Sequence, residues 1–396
     1  MDSKVSLPDP KTPRVLIVLN RYRPMIGGAE RQCELLCEHL SDQVQWVGLL
    51  THRYAPELAS YELINGLHVK RLGSPVSSSR GVAFRFYAAL AWQLIQKRHQ
   101  YDLVHCHTAG LTGLWVAVVC RLLSKPVLLK LTAEGELHQQ VAAVQSPQYR
   151  VRALLKSGLR RLIVKISISS KWTHIVALTQ GGGVEARSCG AANVYVIPNG
   201  IDQKKYAINA EKIVERSIPV RFGYTGRLTA EKGTHLLADA FDSLLAMQAS
   251  VQLHLAGSGD KQLQSSEEKI RVLINHWPEA IQHVGTLSDT VNFLSQLDVY
   301  ISASTYEGLP NAVLEALASG LPCVLSNIDA HRELVVLNPD ASIYFFEPND
   351  LTSLAEAVAH FIAIRPLPRS RLSPQLYIRN IAQKYLKLYV KMIKKN

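Results

Sequence analysis

The segment of the sequence that most strongly indicates a binding or catalytic site contains two cations and two glycines. Arg227 and Lys232 are five positions apart between Gly226 and Gly233, directly after a short apolar run. An arginine can bind phosphate oxygens through two parallel hydrogen bonds, and a lysine adds a mobile positive charge. Because the loops after parallel strands are where α/β sheets bind ligands, the pattern predicts a phosphate site. An ordinary charged surface loop is the alternative.

A second segment, from Glu307 to Glu315, joins two carboxylates to the start of a predicted helix. Gly308 allows a ligand to approach the backbone closely, and Pro310 suits the first helical turn. The unpaired amides at a helix start favour an anion. A carboxylate can accept two hydrogen bonds from a vicinal diol such as a ribose. The whole segment favours a nucleotide site over an exposed helix with ordinary charges.

Two weaker signals lie in the first half of the chain. Gly27 and Gly28 stand between a predicted strand and a predicted helix and permit a tight turn whose amides face a ligand, although simple chain geometry would also explain them. His105 and His107 come at the end of another strand. We expect their imidazoles to point to opposite faces, so that they do not share a metal ion. His107 is the better candidate for a site, and for His105 a packing role is an equal alternative.

Apolar runs alternate with helical segments along the chain, which predicts buried parallel strands joined by helices. In the first half the predicted strands are 15–20, 45–50, 103–106, 127–131, 174–177 and 194–197. In the second half they are 220–224, 251–256, 281–284, 299–302, 323–326 and 343–346. A turn at 198–200 separates the two series. We therefore predict two doubly wound, Rossmann-like α/β domains, 1–198 and 199–374, followed by a helical tail.

Composition narrows the class of protein. Hydrophobic residues make up 47% of the 396 residues and charged residues 19%, which excludes a disordered or fibrous chain. Six scattered cysteines without a Cys-x-x-Cys pair argue against a zinc site or a disulfide scaffold and suit a reducing compartment. The polar N-terminus and the lack of an apolar run of about 18 residues predict neither a signal peptide nor a membrane span. We expect a cytoplasmic protein.

The excess positive charge is confined to one half of the chain. The net charge is +12; residues 1–200 carry 24 Lys and Arg against 12 Asp and Glu, while residues 201–396 carry 20 of each. From Arg150 to Lys171 seven cations accompany apolar residues at helical spacing, with no acid among them. Such a helix is typical of a membrane surface, although a helix packed on its own domain would show the same pattern. The cations expected to face anionic lipid are Lys156, Arg160, Arg161 and Lys165. Nucleic acid is not expected as a partner, because no aromatic residues are interleaved.

Taken together, these motifs resemble the family 4 retaining glycosyltransferases. The matching strings are Gly-Arg-Leu-x-x-Glu-Lys-Gly at 226–233, Leu-Ala-Gly-Ser-Gly at 255–259, Val-Gly at 284–285 and the two glutamates with seven residues between them. Gly-Gly-Ala-Glu at 27–30, His-Cys-His at 105–107 and Pro-Asn-Gly-Ile-Asp at 198–202 precede them in the family's order. The resemblance implies the GT-B architecture, in which two Rossmann-like domains face each other across a cleft. It places the nucleotide sugar in the C-terminal domain and the acceptor mainly in the N-terminal one, with the last helix, about 375–396, crossing back to the N-terminal domain.

The resemblance also implies roles for the matched residues. Arg227 and Lys232 would hold the diphosphate, Glu307 would touch the donor sugar near its reacting carbon, and His107 would lie near that sugar. Glu315 would bind the ribose hydroxyls. The other implied donor contacts are Gly27, Gly28, Gly226, Gly257, Val284, Gly308, Leu309 and Asn311. No metal or other cofactor is implied, since two cations and a helix start supply the charge that Mg²⁺ would otherwise provide.

The chain departs from the family pattern in two places. Many members carry a His after the strand at 127–131, whereas this chain reads Lys-Leu-Thr-Ala-Glu-Gly-Glu at 130–136, so that the role of Glu134 is open. After Asn327 the usual glycine-rich turn is replaced by Ile-Asp-Ala-His-Arg-Glu at 328–333. Glu333 fits the family position.

We predict a retaining transfer of sugar from a nucleoside diphosphate sugar, with UDP or GDP as the nucleotide, to a lipid-linked or glycan acceptor. The reaction would serve cell-surface polysaccharide synthesis at the inner face of the membrane. The alternatives are a catalytically silent scaffold of a polysaccharide complex and a nucleotide-sugar epimerase on the same architecture. A dehydrogenase is weaker, because no Gly-x-Gly-x-x-Gly follows the first strand. Sugar, base and acceptor depend on side chains that vary within one fold.

Overall fold

The chain forms two compact units, each with its own sheet and core. The computed structural model describes residues 12–24, 27–73, 80–133, 135–137, 164–210, 218–259, 266–364 and 367–394, without the side chains of 80–84 and 207–210. The first unit comprises the described residues within Met1–Gly200 and Ile378–Asn396, and the second unit is Ile201–Tyr377. The chain therefore leaves the first unit once and returns to it with its last helix.

The first unit is built on one sheet. Its strands are β1 (Arg14–Val18), β2 (Trp46–His52), β3 (Tyr61–Ile64), β4 (Leu67–Leu72), β5 (Leu103–Cys106), β6 (Val127–Lys130), β7 (Thr173–Ala177) and β8 (Asn193–Val196). In space they run β3-β4-β2-β1-β5-β6-β7-β8, and every neighbouring pair is parallel except β3 with β4. The described helices are Gly28–Leu40, Arg80–Gln96, Leu111–Leu122, 164–168, Gln180–Ser188 and Ile378–Lys394.

Strands β3 and β4 were not predicted. They form an antiparallel hairpin at one edge of the sheet, and β3 alternates exposed with half-buried residues instead of forming a continuous apolar run. Their turn is Asn65-Gly66, in which both residues have positive φ, 50° and 77°. Asn-Gly is the strongest short hairpin signal, because a two-residue turn of this kind matches the twist of the strands it joins. That dipeptide could have revealed the hairpin.

Opposite faces of the first sheet bury two separate cores. Leu16 and Val18 of β1 point to a core shared with helices Arg80–Gln96 and Leu111–Leu122. Val15 and Ile17, on the other face, pack with helices Gly28–Leu40 and Ile378–Lys394. The alternation follows from the two-residue period of a strand. The C-terminal helix thus belongs to the core of the first unit, which confirms the predicted return of the chain.

The second unit has a fully parallel sheet among its described residues. Its strands are β9 (Val220–Thr225), β10 (Val251–Ala256), β11 (Ile281–His283), β12 (Val299–Ser302), β13 (Cys323–Ser326) and β14 (Ile343–Phe346). The spatial order is β11-β10-β9-β12-β13-β14. The helices are Gln203–Ala210, Thr234–Ala246, Glu267–His276, Val291–Leu294, Asn311–Ala318, Asp329–Leu337 and Leu351–Ala363, with 3₁₀ turns at Ala230–Lys232 and Pro374–Leu376. Two parallel-sheet domains confirm the predicted α/β class.

Each sheet has a switch point, at which the chain crosses from one side of the sheet's first strand to the other. In the second unit the chain moves from β9 outward through β10 to β11, then returns to place β12 on the other side of β9. In the first unit the same reversal lies between β1 and β5. The loops that leave the two central strands diverge there, and ligands of open α/β sheets bind in the opening between them. The fold therefore assigns one candidate site to each unit.

Candidate active site

The loop after β9 is fixed by close backbone packing. Gly233 has φ 65°, in the left-handed region, and a Cβ there would lie 1.9 Å from the carbonyl oxygen of Ala303, just after β12. Gly257, just after β10, has φ 139°, and its Cβ would lie 1.7 Å from the carbonyl oxygen of Gly226. Only glycine fits at either position. Three loops at the carboxyl edge of the sheet are thus locked together around the switch point.

An ion pair joins the two sides of that switch point. Lys232 Nζ lies 2.7 Å from Glu307 Oε1, and both side chains are about 15% exposed. The same carboxylate oxygen accepts a hydrogen bond of 2.8 Å from Ser304 Oγ. A backbone hydrogen bond joins the same two loops, because the amide of Thr305 donates to the carbonyl of Glu231 at 3.0 Å. A cation and a carboxylate, 75 positions apart in sequence, therefore form one local site.

Arg227 occupies the same loop, with a fixed backbone and an outward side chain. Tyr224 Oη donates to its carbonyl at 2.8 Å, and the next amide, Leu228 N, donates to Ser258 O at 2.9 Å. The guanidinium is 47% exposed and lies 3.7 Å from Glu231 Oε1, a distance longer than a close ion pair. Such an exposed pair contributes little to stability. About half of the Arg227 side chain is therefore accessible at the carboxyl edge of the sheet.

Glu315 lies one turn inside the helix that follows β12, and it is buried. Its Oε2 accepts a hydrogen bond of 2.7 Å from Thr290 Oγ1, and only 7% of the residue is exposed. The helix begins at Asn311, so Pro310 is its N-cap and not part of its first turn. That N-cap makes no side-chain hydrogen bond to the first amides.

The remaining predicted donor contacts of the second unit lie along the same sheet edge. Gly308 and Asn311 are half-buried in the segment that begins the helix, and Leu309 between them is buried. Val284, after β11, is about half exposed while its amide donates to Leu255 O at 3.0 Å. The second unit therefore brings its predicted site residues together at the ends of β9 to β12.

His331, which the motifs did not single out, supports the Glu307 loop from below. Its ring is fully buried, and Nδ1 lies 2.8 Å from the carbonyl of Ser326, so that nitrogen carries the proton. Ser326 Oγ in turn donates to Ser304 O at 2.5 Å. Burial lowers the pKa of His331, which keeps the imidazole neutral. The unusual segment after Asn327 therefore holds a helix start and a buried histidine in place of a glycine-rich turn.

In the first unit, the glycine pair and His107 flank the other switch point. Gly27 is the N-cap of helix Gly28–Leu40, and its amide donates to Glu30 Oε2 at 2.9 Å. Both glycines are exposed. His107 directly follows β5, and its amide donates to Val18 O of β1 at 3.0 Å. These residues lie where the order of the first sheet predicts a ligand.

The expectation that His105 and His107 point to opposite faces was wrong. Their rings stack with centroids 4.2 Å apart, because residues two positions apart on a strand share a face. His105 Nδ1 lies 2.7 Å from Tyr389 Oη of the C-terminal helix. Burial lowers the pKa of both histidines well below the usual range, so both rings are neutral near pH 7. His105 is a packed core residue, and His107 is buried beside it.

The carboxylate of Glu136 holds two loops together in the region where the family often has histidine. Glu134 lies outside the described residues, but Glu136 accepts four hydrogen bonds of 2.8 to 3.0 Å. The donors are the hydroxyl groups of Thr108 and Thr132 and the amides of Ala109 and Thr132. These bonds tie the loop after β5 to the loop after β6. Glu136 was not singled out from the sequence, and its only signal was its position just after a strand end.

Within the described part of the chain, no group of three or more His, Cys, Asp or Glu side chains is arranged to hold a metal ion. The predicted metal independence stays a prediction. Arg227 and Lys232 both lie at the second-unit site, and their role in place of a metal ion stays a prediction as well.

The two parallel-sheet α/β domains of this chain have the fold of solved GT-B structures. The sucrose-phosphate synthase of Thermosynechococcus elongatus superposes with a TM-score of 0.74 at 19% identity, over 97% of this chain and 100% of that one. Anabaena HepE, solved in complex with UDP and glucose, superposes with a TM-score of 0.63 at 17% identity, over 97% and 98% of the two chains.

Family models then identify both halves of the chain. Residues 26–205 match the model described as Glycosyltransferase Family 4, and residues 219–363 match Glycosyl transferases group 1. The chain therefore belongs to the family 4 glycosyltransferases, as its motifs indicated.

Curated relatives extend this result. The UDP-Gal:alpha-D-GlcNAc-diphosphoundecaprenol alpha-1,3-galactosyltransferase of Escherichia coli is 26% identical over 66% of each chain, just under two thirds of that enzyme's length. The GDP-mannose:cellobiosyl-diphosphopolyprenol alpha-mannosyltransferase of Xanthomonas campestris is 23% identical over 80% of this chain and 79% of that enzyme.

Proposed function

We propose that this protein transfers a sugar from a UDP- or GDP-sugar to a lipid-linked or glycan acceptor in polysaccharide synthesis, with retention at the anomeric carbon. The observation that carries the proposal is the Lys232–Glu307 contact of 2.7 Å at the switch point of the second sheet. It puts a cation for a diphosphate next to a carboxylate for a sugar, with Arg227 and Glu315 on the same edge. The activities of the two relatives, one a UDP-Gal-dependent and the other a GDP-mannose-dependent enzyme, support the proposed donor and acceptor classes.

The bond that breaks joins the anomeric carbon to a diphosphate oxygen, and negative charge grows on that oxygen. Arg227 and Lys232 would stabilise this charge, which is worth most where water is partly excluded. The new bond joins the acceptor hydroxyl oxygen to the same carbon, on the face that the diphosphate leaves. The hydroxyl proton passes to the departing phosphate. For His107, which is buried and neutral, a contact with the donor sugar stays a prediction of the resemblance. The anomeric configuration of the product, read by NMR, tests retention.

A screen of nucleotide sugars by thermal shift tests the function as a whole. A bound donor raises the unfolding temperature by mass action, so the true donor should stand out from its competitors. Incubation of that donor with and without a polyprenyl-diphosphate sugar should give a glycosylated product only when the acceptor is present. Sugar inversion without acceptor would identify an epimerase, and no binding of any nucleotide would favour the scaffold.

Glu315→Ala should weaken donor binding more than it lowers turnover at saturating donor. Loss of hydrogen bonds to a charged group costs about 1.5–3 kcal/mol, so the Kd of the nucleoside diphosphate should rise roughly 10- to 150-fold. Calorimetry gives the Kd directly. The matched control is Glu268→Ala, since Glu268 is 72% exposed in an ion pair with Arg271 on the same unit. Equal affinity in Glu315→Ala and Glu268→Ala would remove Glu315 from the site.

Membrane association was predicted from the basic segment, but the structural feature that supports it lies on another surface of the first unit. Lys156, Arg160 and Arg161 lie outside the described residues, while Lys165 is exposed on helix 164–168. None of the helices in the described part of the chain combines the length and apolar character that crossing a bilayer requires.

Helix Leu111–Leu122 presents an apolar stripe outward as well as inward. The outward residues are Leu111, Trp115, Val118 and Leu122, spaced at three and four positions. Leu122 is 80% exposed, and Trp92 on the neighbouring helix is 61% exposed. The two helices are tied by a 3.1 Å hydrogen bond from Trp115 Nε1 to Tyr87 O. Apolar residues on both faces of a surface helix indicate that something covers the outer one.

The positive charges around this apolar stripe indicate the kind of surface that would bind it. Arg85, Arg121 and Lys165 are exposed around it, and the sequence has no Asp or Glu from 63 to 101 or from 103 to 133. Cations surrounding exposed tryptophan and leucine complement an anionic lipid surface. We infer that this face of the first unit docks on such a surface, where a lipid-linked acceptor would be found.

The double variant Trp115→Glu/Leu122→Glu should therefore lose sedimentation with phosphatidylglycerol-rich vesicles. Two apolar contacts are lost and two negative charges face the lipid, so the apparent affinity should fall by about tenfold or more. Met247→Glu, at an 80% exposed position of the second unit, is the control. The inference fails if wild type does not pellet at low salt, or if light scattering shows that the stripe instead joins two copies of the chain.

A further inference from the structure

Two hydroxyl groups from distant segments stand behind the carboxylate of Glu315. Thr290 Oγ1 donates to Glu315 Oε2 at 2.7 Å, and Tyr206 Oη lies 3.1 Å from the same threonine oxygen. Tyr206 is 3% exposed and the other two residues 7% each. Neither Thr290 nor Tyr206 belongs to a motif that the sequence singled out. The three side chains form a buried line of hydrogen bonds in the second unit.

The direction of this line follows from the chemistry of its ends. An ionised carboxylate only accepts hydrogen bonds, so the single hydroxyl proton of Thr290 points to Glu315. Thr290 Oγ1 is then an acceptor toward Tyr206, whose hydroxyl must donate. A hydrogen bond to a charged acceptor is stronger than a neutral one, and a second donor behind it polarises the first. The two hydroxyls therefore act on the carboxylate as a unit.

The backbone around these residues supports the same arrangement. Thr290 is the N-cap of helix Val291–Leu294, but its hydroxyl makes no capping hydrogen bond. Helix Gln203–Ala210, which carries Tyr206, packs against the helix of Glu315. A second tie joins Lys205 Nζ to Asp289 Oδ2 at 3.2 Å. Three segments, far apart in sequence, are thus held around one carboxylate oxygen.

We propose that Thr290 and Tyr206 are positioning residues that fix the orientation of the Glu315 carboxylate for the ribose diol of the donor nucleotide. This inference rests on the proposed function, because it takes Glu315 as the ribose ligand. A carboxylate held in its binding geometry before the ligand arrives loses less freedom on binding, so the same hydrogen bonds give a higher affinity. Thr290 supplies the direct contact, and Tyr206 keeps the threonine hydroxyl turned toward the carboxylate.

The experiment compares nucleotides that have the diol with nucleotides that lack it. Calorimetry measures the Kd of UDP and GDP and of their 2′,3′-dideoxy counterparts for wild type and three variants. Thr290→Val removes the hydroxyl at almost constant volume, Thr290→Ser keeps it, and Tyr206→Phe removes only the second donor. We expect Thr290→Val to raise the Kd of the better ribonucleotide by about tenfold and Tyr206→Phe by about threefold. Neither should change the Kd of the dideoxy form by more than about twofold, and Thr290→Ser should match wild type.

The outcomes separate a positioning role from a structural one. Equal weakening of both nucleotides by Thr290→Val would mean that the site as a whole is disturbed, and it would overturn the proposal. Unchanged ribonucleotide binding in Thr290→Val would overturn it as well. Glu315→Ala is measured against the same pair of ligands. If that variant does not lose the preference for the diol, the proposed role of Glu315 fails, whatever the threonine variants show.

Discussion

Lys232→Ala should lower turnover roughly 30- to 900-fold, which corresponds to about 2–4 kcal/mol of lost transition-state stabilisation. The reason is the position of its ammonium, 2.7 Å from the carboxylate of Glu307 and only 16% exposed. A charge in such a partly water-excluded site stabilises a developing phosphate anion more strongly than the same charge in bulk water. The variant also leaves Glu307 without its cation, so two groups of the site are disturbed at once.

The measurement is the initial rate at saturating donor and acceptor, with the unfolding temperature as a check on folding. Lys269→Ala is the matched control. This substitution removes the same charge from the same unit and breaks an ion pair of 2.6 Å with Asp239. In contrast to the Lys232–Glu307 pair, the side chains of Lys269 and Asp239 are each at least 40% exposed. We expect Lys269→Ala to keep wild-type turnover. Turnover of Lys232→Ala within about threefold of wild type would contradict a role in stabilising the leaving diphosphate.

The second large effect concerns stability. Lys130, the last residue of β6, is only 4% exposed, and no carboxylate of the described residues forms an ion pair with it. Its Nζ lies 5.9 Å from the centre of the Tyr385 ring. Burial lowers the pKa of Lys130 to about 8. We expect Lys130→Met, which keeps most of the length of the side chain without its charge, to raise the free energy of unfolding near pH 7 by about 3 kcal/mol.

The pH dependence of this effect has a definite sign. The pKa of Lys130 is lower in the folded than in the unfolded chain, so between about pH 8 and 10.5 the unfolded chain binds more protons. The burial penalty is fully present below that window, and the stability of wild type rises as the pH crosses it. The advantage of Lys130→Met should therefore shrink from neutral to alkaline pH. Urea unfolding at neutral pH and at alkaline pH measures how much more stable Lys130→Met is than wild type. Lys171→Met, at an exposed position, is the control. A variant less stable than wild type at neutral pH would refute the prediction.

Local pattern was sufficient for most of the fold. Strands β10, β12, β13 and β14 begin and end at the predicted residues. Strands β12 and β13 are buried along their whole length, and a strand buried on both faces forms a continuous apolar run. The hairpin of β3 and β4 escaped detection because an edge strand with one exposed face has no such run. Its Asn-Gly turn was a local signal of another kind.

The candidate site divides in a similar way. The glycines, cations and carboxylates of the candidate site could be recognised from their type and spacing. They lie in loops after strands and at a helix start, and these are local structures that a sequence pattern can predict. What they contact was not local. The Lys232–Glu307 pair depends on β12 lying beside β9, and Gly233 is required because its loop touches Ala303.

The amino-acid sequence alone was enough to specify two α/β domains, their family and the residue types of the candidate site. Only the folded chain revealed the supporting partners: Thr290 and Tyr206 behind Glu315, Glu136 between two loops, and Lys130 buried under the C-terminal helix. The physical reason is the range of each signal. Periodicity and turn chemistry act over a few residues, whereas a side-chain contact between distant segments depends on the order of strands in the sheet and on how helices pack over it.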